Sequence, residues 1–176
     1  MSNPILNELN FASVGRLHRR PGQVLALDGL KPAKEGQFSP ETRWQSAKIE
    51  PHPARYVCLE ARSSWANDGY TTCAELDIVD AGGRSIPRAE WRILYADSEE
   101  VFGEDASADR ALDGQPGTFW HSRWDGTKDP LPHQIVIDLG QENAVGEVRY
   151  LARQDKSHGR IGEYRIYTSR VPFGGL

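Results

Sequence analysis

Apolar and polar residues alternate along most of this chain with the two-residue period of a half-buried strand. Residues 74–79 (Ala-Glu-Leu-Asp-Ile-Val), 145–151 (Val-Gly-Glu-Val-Arg-Tyr-Leu) and 164–168 (Tyr-Arg-Ile-Tyr-Thr) alternate most clearly. Residues 55–59, 91–95 and 134–139 are short runs rich in apolar, aromatic and β-branched residues, the last ended by Gly140. Residues 23–27 and 47–50 are weaker strand candidates. The one stretch that suits a helix is a turn or two around residues 107–112. Short strands separated by Gly, Pro and Asp predict an all-β sandwich or barrel. Residues 80–90 (Asp-Ala-Gly-Gly-Arg-Ser-Ile-Pro-Arg-Ala-Glu) read as a linker or long loop between two strand-rich halves that do not resemble each other.

Composition narrows the class. A chain of 176 residues suits one domain and buries a core large enough to fold without staples. The net charge of −4 argues against a general phosphate-backbone binder, so no nucleic-acid partner is expected. No apolar run approaches the length of a transmembrane helix. The first residues lack the basic flank and apolar stretch of a signal peptide, which leaves the location open. Cys58 and Cys73 allow one internal disulfide or two buried thiols, and no Cys/His cluster suggests zinc.

A motif then sharpens the picture. Residues 111–122 read Ala-Leu-Asp-Gly-Gln-Pro-Gly-Thr-Phe-Trp-His-Ser. Leu131-Pro132-His133, Ile137-Asp138-Leu139-Gly140, residues 150–155 and Gly159-Arg160-Ile161 follow in order. From Trp91 onward the chain resembles a discoidin domain, also called the coagulation-factor 5/8 type C domain, and within it the family-32 carbohydrate-binding modules. The resemblance implies a galactose-binding-like β-sandwich jelly roll.

The resemblance stops at Ser169, and the family's closing portion is matched at the other end of the chain. Residues 32–38, 54–61 and 73–76 resemble its last strands. The expected organisation is an extension at 1–30, then one discoidin-like sandwich at 31–176. Within it, 31–79 is the family's C-terminal half, 80–90 the bridge and 91–176 the N-terminal half. Circular permutation explains this order, since domain termini often lie close together. A fragment of tandem domains would instead swap halves in a dimer.

The resemblance also implies a site. Sugar recognition needs an aromatic face for the C–H patch of a pyranose and charged groups for its hydroxyls. The galactose-binding modules use a Glu/His/Arg clamp. Glu104, 17 residues before His121, and Arg153, 32 after it, suit that clamp. Trp124 matches a wall aromatic, Tyr70 a second one with Trp65 as its alternative, and His158 stands where members often carry Asn. Other roles are open to each: Arg153 can pair with Asp155 or Asp138, His121 can be a hydrogen-bonded loop residue, and Glu104 lies in an acidic run. Trp120 reads as core.

Members often hold a structural calcium, a hard cation that takes oxygen ligands. Asp113, Thr118, Gln115, Arg110 (the last two through carbonyls) and Glu75 match that site. Its alternative is a turn capped by Asp113. The function implied is a non-catalytic, lectin-like module for galactose or N-acetylgalactosamine glycans. A protein- or phospholipid-recognition discoidin domain is the alternative, with Phe119, Trp124 and Trp65 as tips. An enzyme is not expected, because Glu104, His121, Ser98 and Ser122 sit in no catalytic motif.

Overall fold

The computed structural model describes residues 24–27, 29–174 and 176. Two long strands organise it. β2 (Trp44–Ala61) and β7 (His133–Leu151) run antiparallel along nearly their whole lengths, pairing Ala47 with Val148 and Leu59 with Ile135. Their register shifts between Lys48 and His52 and again between Ala54 and Tyr56. Pro51 and Pro53 fall in this stretch. A proline has no N–H for the ladder, so strands bend and shift where it occurs. Gly140, at a φ of +80°, marks the corresponding bend in β7.

The bends let one ladder serve both layers of a sandwich. In the first layer the order is β1 (Lys34–Gln37), β8 (Glu163–Ser169), the second half of β2, the first half of β7, and β5 (Arg92–Ala96). In the other, the first half of β2 and the second half of β7 are joined by β4 (Glu75–Asp80). Val57, Leu59, Ile135 and Ile137 meet Ala47, Ile49, Leu76, Ile78, Val148 and Tyr150 in one core that also buries Trp120. A second cluster, Tyr56, Cys58, Tyr95, Val136 and Tyr167, lies on the other face of the first layer beneath Leu27 and Phe173. The all-β expectation therefore holds, and no helix among the described residues is long and apolar enough to cross a membrane.

Several local expectations change. Residues 134–139 and 145–151 are one strand, not two, and residues 47–50 and 55–59 share β2. Residues 24–27 form no strand: Leu25 bonds through its N–H to the Gln134 side chain instead of a ladder, and Gln23 lies outside the described residues. The expected helical turn is a 3-10 turn, Ala108–Leu112. Both cysteines are buried free thiols, Cys73 in the main core and Cys58 in the second cluster.

Strands from before residue 80 and after residue 91 alternate within the same sheets. The stretch between them is tied down more than its composition suggests. The Asp80 carboxylate accepts the N–H groups of Gly82 and Arg84, Ile86 is buried in the core, and Arg88 donates to Glu75 at 2.6 Å.

Candidate functional site: a shallow depression at the loop end

His121 is positioned by its neighbour. Trp120 and His121 form the short strand β6, which pairs with β3 (Thr72–Cys73). Trp120 is fully buried and its indole N–H donates to the Ser98 carbonyl at 2.8 Å. Successive side chains of a strand face opposite ways, so His121 faces out of the core into the loops. There it lines a depression of about 260 Å³ with Tyr70, Glu104, Trp124, Arg153, Lys156 and His158. Six of the seven residues expected at the sugar site are thus brought together from four separate segments.

Trp65 is the exception. It is half exposed, lies outside this depression, and its indole N–H donates to the Phe38 carbonyl at 2.7 Å. Of the two aromatics considered for that wall, Tyr70 is the one in place. Its ring meets His121 edge-on, with centroids 5.4 Å apart, and carries the Lys128 ammonium 4.3 Å above it.

The imidazole is buried, and its Nδ1 lies 2.6 Å from the Ser122 carbonyl. A carbonyl only accepts, so Nδ1 carries the proton. Burial pulls the His121 pKa below its ordinary value, which keeps the ring neutral and leaves Nε2 as an acceptor. The Arg153 guanidinium is held twice. Its centre lies 3.8 Å from the Phe119 ring centroid, and Nε and Nη2 donate to Asp155 at 2.6 and 3.1 Å. The ion pair with Asp155 and a place in the depression are therefore compatible, since Nη1 remains as a donor. Phe119, considered as a loop tip, is the platform beneath this arginine. Glu104 accepts the Trp124 indole N–H at 3.0 Å. Trp124 itself packs on Gly103, where an added Cβ would lie 2.5 Å from the indole.

Glu100 holds these parts together, and nothing in the acidic run singled it out. It is fully buried. Oε1 accepts the N–H groups of Phe102 and Gly103, and Oε2 those of Trp124 and Asp125, all within 2.9 Å. Burial opposes its charge, but the four backbone donors outweigh burial and hold its pKa down to about 2. One carboxylate thereby fixes both the loop carrying Glu104 and the loop carrying Trp124. Asp68 plays a similar part on the opposite side. It accepts from Ser64, Tyr70 N–H and Gly159 N–H, and lies 3.4 Å from His158.

The two serines named for an enzymatic alternative are both buried and engaged. Ser122 accepts the Thr71 N–H, and Ser98 donates to Asp129 while accepting from Arg123 N–H.

The second cluster surrounds Asp113. Its carboxylate accepts Gln115 N–H at 2.9 Å and the Thr118 hydroxyl at 2.7 Å, which is the capped turn considered from sequence. The Gln115 carbonyl accepts from Thr118, and Arg110 reaches Asp113 at 3.5 Å through its guanidinium, with Asp105 as its other partner. The Glu75 carboxyl interacts directly with that of Asp113, and its Oε1 is buried without a hydrogen-bond partner. Burial raises the Glu75 pKa, against Arg88, and Asp113 raises it further. Two adjacent carboxylates with one orphaned buried oxygen fit an oxygen-liganded cation. Among the described residues no group of three or more His, Cys, Asp or Glu side chains could hold a metal, so backbone oxygens would complete the shell.

Comparison with known proteins agrees with this architecture. Residues 95–171 match the family described as F5/8 type C domain, the discoidin domain. The match runs from the last two residues of β5 through β8, while β1 to β4, which complete the same sheets, precede it. The chain is 34% identical over 119 residues to a sialidase of Micromonospora viridifaciens, covering 66% of this chain and 17% of the sialidase. It is 30% identical over 102 residues to an A type blood N-acetyl-alpha-D-galactosamine deacetylase of Flavonifractor plautii, covering 57% and 13%. It is 34% identical over 74 residues to a lacto-N-biosidase of Bifidobacterium bifidum, covering 41% and 7%. The chain therefore spans less than a fifth of each of these curated relatives.

Proposed function

We propose that this chain is a non-catalytic, lectin-like module that recognises galactose-type glycans. The observation that carries the reading is the convergence of Glu104, His121 and Arg153 with Trp124 and Tyr70 on one depression. Trp124 and Tyr70 supply the walls for a pyranose C–H face. Glu104 and the neutral His121 Nε2 accept sugar hydroxyls, and Arg153 Nη1 donates to one. Relatives named for sialidase, N-acetylgalactosamine deacetylase and lacto-N-biosidase activities support a carbohydrate ligand, and the activities remain those proteins' own. A shallow site of this kind binds at roughly mM to μM Kd, so avidity through a longer protein or several copies is part of the proposal.

Two further elements belong to the reading. Calcium at Glu75 and Asp113, with Thr118 and the Gln115 and Arg110 carbonyls as the remaining candidates, would join the two halves of the chain electrostatically. The family's two halves stand in permuted order, a reading supported by the alternation of early and late strands within one sheet.

A glycan array with the calcium-loaded protein, followed by calorimetry of His121→Ala and Arg153→Ala, tests the proposal. Binding confined to terminal galactose or N-acetylgalactosamine, and lost in both folded variants, is the expected result. Unchanged affinity in both variants would remove the site assignment.

A further inference from the structure

Phe102 is 75% exposed, the most exposed of the large apolar side chains described, and Val101 beside it is 48% exposed. Single exposed apolar residues are ordinary, but the backbone of this one is anchored next to Gly103, on which Trp124 of the depression packs. Its backbone N–H, like that of Gly103, is fixed on the buried Glu100 carboxylate at 2.8 Å. Gly103 in turn seats the Trp124 indole, and the next residue, Glu104, accepts the indole N–H. The Arg123 guanidinium lies 5.8 Å from the Phe102 ring centroid, a stacking distance for a cation on an aromatic ring. One carboxylate therefore anchors the backbone of two aromatic residues, Trp124, which lines the depression, and Phe102, which is exposed in the adjoining loop.

The depression encloses about 260 Å³, below the ~300–1,000 Å³ of sites that enclose a drug-sized ligand. A site of this size suits one sugar ring, so the next ring of an oligosaccharide would lie outside it. Along the Lys156 and His158 edge the rim is polar. On the Trp124 side, the loop that seats the indole through Gly103 also carries the exposed Phe102.

Resting on the galactose-type reading above, we propose that Phe102, backed by Arg123, forms a second subsite. It stacks on the C–H face of the sugar next to the terminal residue, so that the module selects oligosaccharides over monosaccharides. Glu100 is the positioning residue for this subsite, because it fixes the Phe102 backbone without facing the ligand.

The test compares methyl β-galactoside with lactose and N-acetyllactosamine by calorimetry, for the wild type, Phe102→Ala and Phe102→Tyr. The wild type is expected to bind at least one disaccharide about three- to tenfold more tightly than the monosaccharide, the range of one aromatic contact. Phe102→Ala removes that ratio and leaves the monosaccharide affinity unchanged, and Phe102→Tyr restores it. A wild type without the ratio, or an alanine variant that keeps it, overturns the subsite and leaves the galactose-type reading standing. Binding of neither sugar by the folded wild type overturns both. Phe102-dependent sedimentation with phosphatidylcholine–phosphatidylserine vesicles, together with a flat sugar ratio, assigns the ring to lipid and overturns the proposal.

Discussion

The Trp124 indole N–H donates to the Glu104 carboxylate at 3.0 Å, and both groups line the same depression. On the proposed reading, platform and clamp are thus one unit. Glu104→Ala removes a hydroxyl acceptor and also frees the indole to rotate off Gly103. Galactoside affinity should fall at least tenfold, about 1.4 kcal/mol or more, with a change in tryptophan emission in the free protein. Glu104→Gln, whose amide oxygen still accepts from the indole, should fall between. Calorimetry and fluorescence together check this, and an alanine variant that matches the wild type in both contradicts it.

The Glu100 carboxylate gives a pH dependence with a defined sign. Its folded pKa of about 2 lies below the ordinary 4.5. A depressed acid pKa adds stability that is fully present above the unfolded value and is lost as pH falls toward the folded one. The window therefore runs from about pH 4.5 down to about 2, and the shift corresponds to on the order of 3 kcal/mol. Glu100→Gln offers one acceptor oxygen where four N–H groups need partners, so it should be destabilised at neutral pH and lose part of this acid limb. Urea melts from pH 6 to 3 measure both proteins; parallel curves with equal midpoints would refute the role.

These two acids show what the sequence could reveal. The place of Glu104 was legible through its spacing from His121 in the family resemblance. Glu100 was not, because its role lies in four backbone donors from two loops, and backbone donors leave no residue pattern. The sheets divide in the same way. Strands with one buried face show their period, whereas β3 and β6, two residues each, are too short to have one. Residues 47–50 and 55–59 read as separate pieces, and Pro51 and Pro53 between them sit where the ladder of β2 shifts register. Trp65 lies in the expected loop, but its N–H is taken by Phe38, a contact between residues 27 apart in the chain that spacing cannot show.

On the proposed reading, His121 sets the pH dependence of binding. Burial lowers its pKa below the ordinary 6.5, and Nδ1–H is committed to the Ser122 carbonyl. The acceptor at Nε2 exists only in the neutral ring. Affinity should stay flat from pH 8 through 6.5 and fall once pH drops below the lowered folded value, as protonation converts the acceptor to a donor. Calorimetric titrations across pH 8 to 5 test this. A fall that begins above pH 6.5 would show that His121 is not the titrating group.

Cys58 and Cys73 are buried free thiols whose pKa values burial pushes well up. Thiolate is the reactive form, so a thiol reagent should modify neither in the folded protein and both in urea. Rapid modification without denaturant would place at least one of them on an accessible face.

The contact between Glu75 and Asp113 carries the last prediction. Two carboxyl groups interact there, and Glu75 Oε1 is buried with no hydrogen-bond partner, while Arg88 balances only the other oxygen. A hard cation would satisfy the orphaned oxygen and remove the repulsion. Ligand that binds only the folded state stabilises by RT ln(1 + [L]/Kd), about 2.7 kcal/mol at a hundredfold excess over Kd. For a chain of this size that corresponds to a Tm increase of roughly 5–10 °C. Millimolar calcium should therefore raise Tm and chelator should reverse it. Glu75→Gln should abolish the increment, because the variant no longer offers the buried charge, and should also raise the calcium-free Tm relative to Asp113→Ala, because Asp113 retains its bonds to Gln115 and Thr118. A melting curve indifferent to calcium and chelator would leave this loop as a turn capped by Asp113 alone.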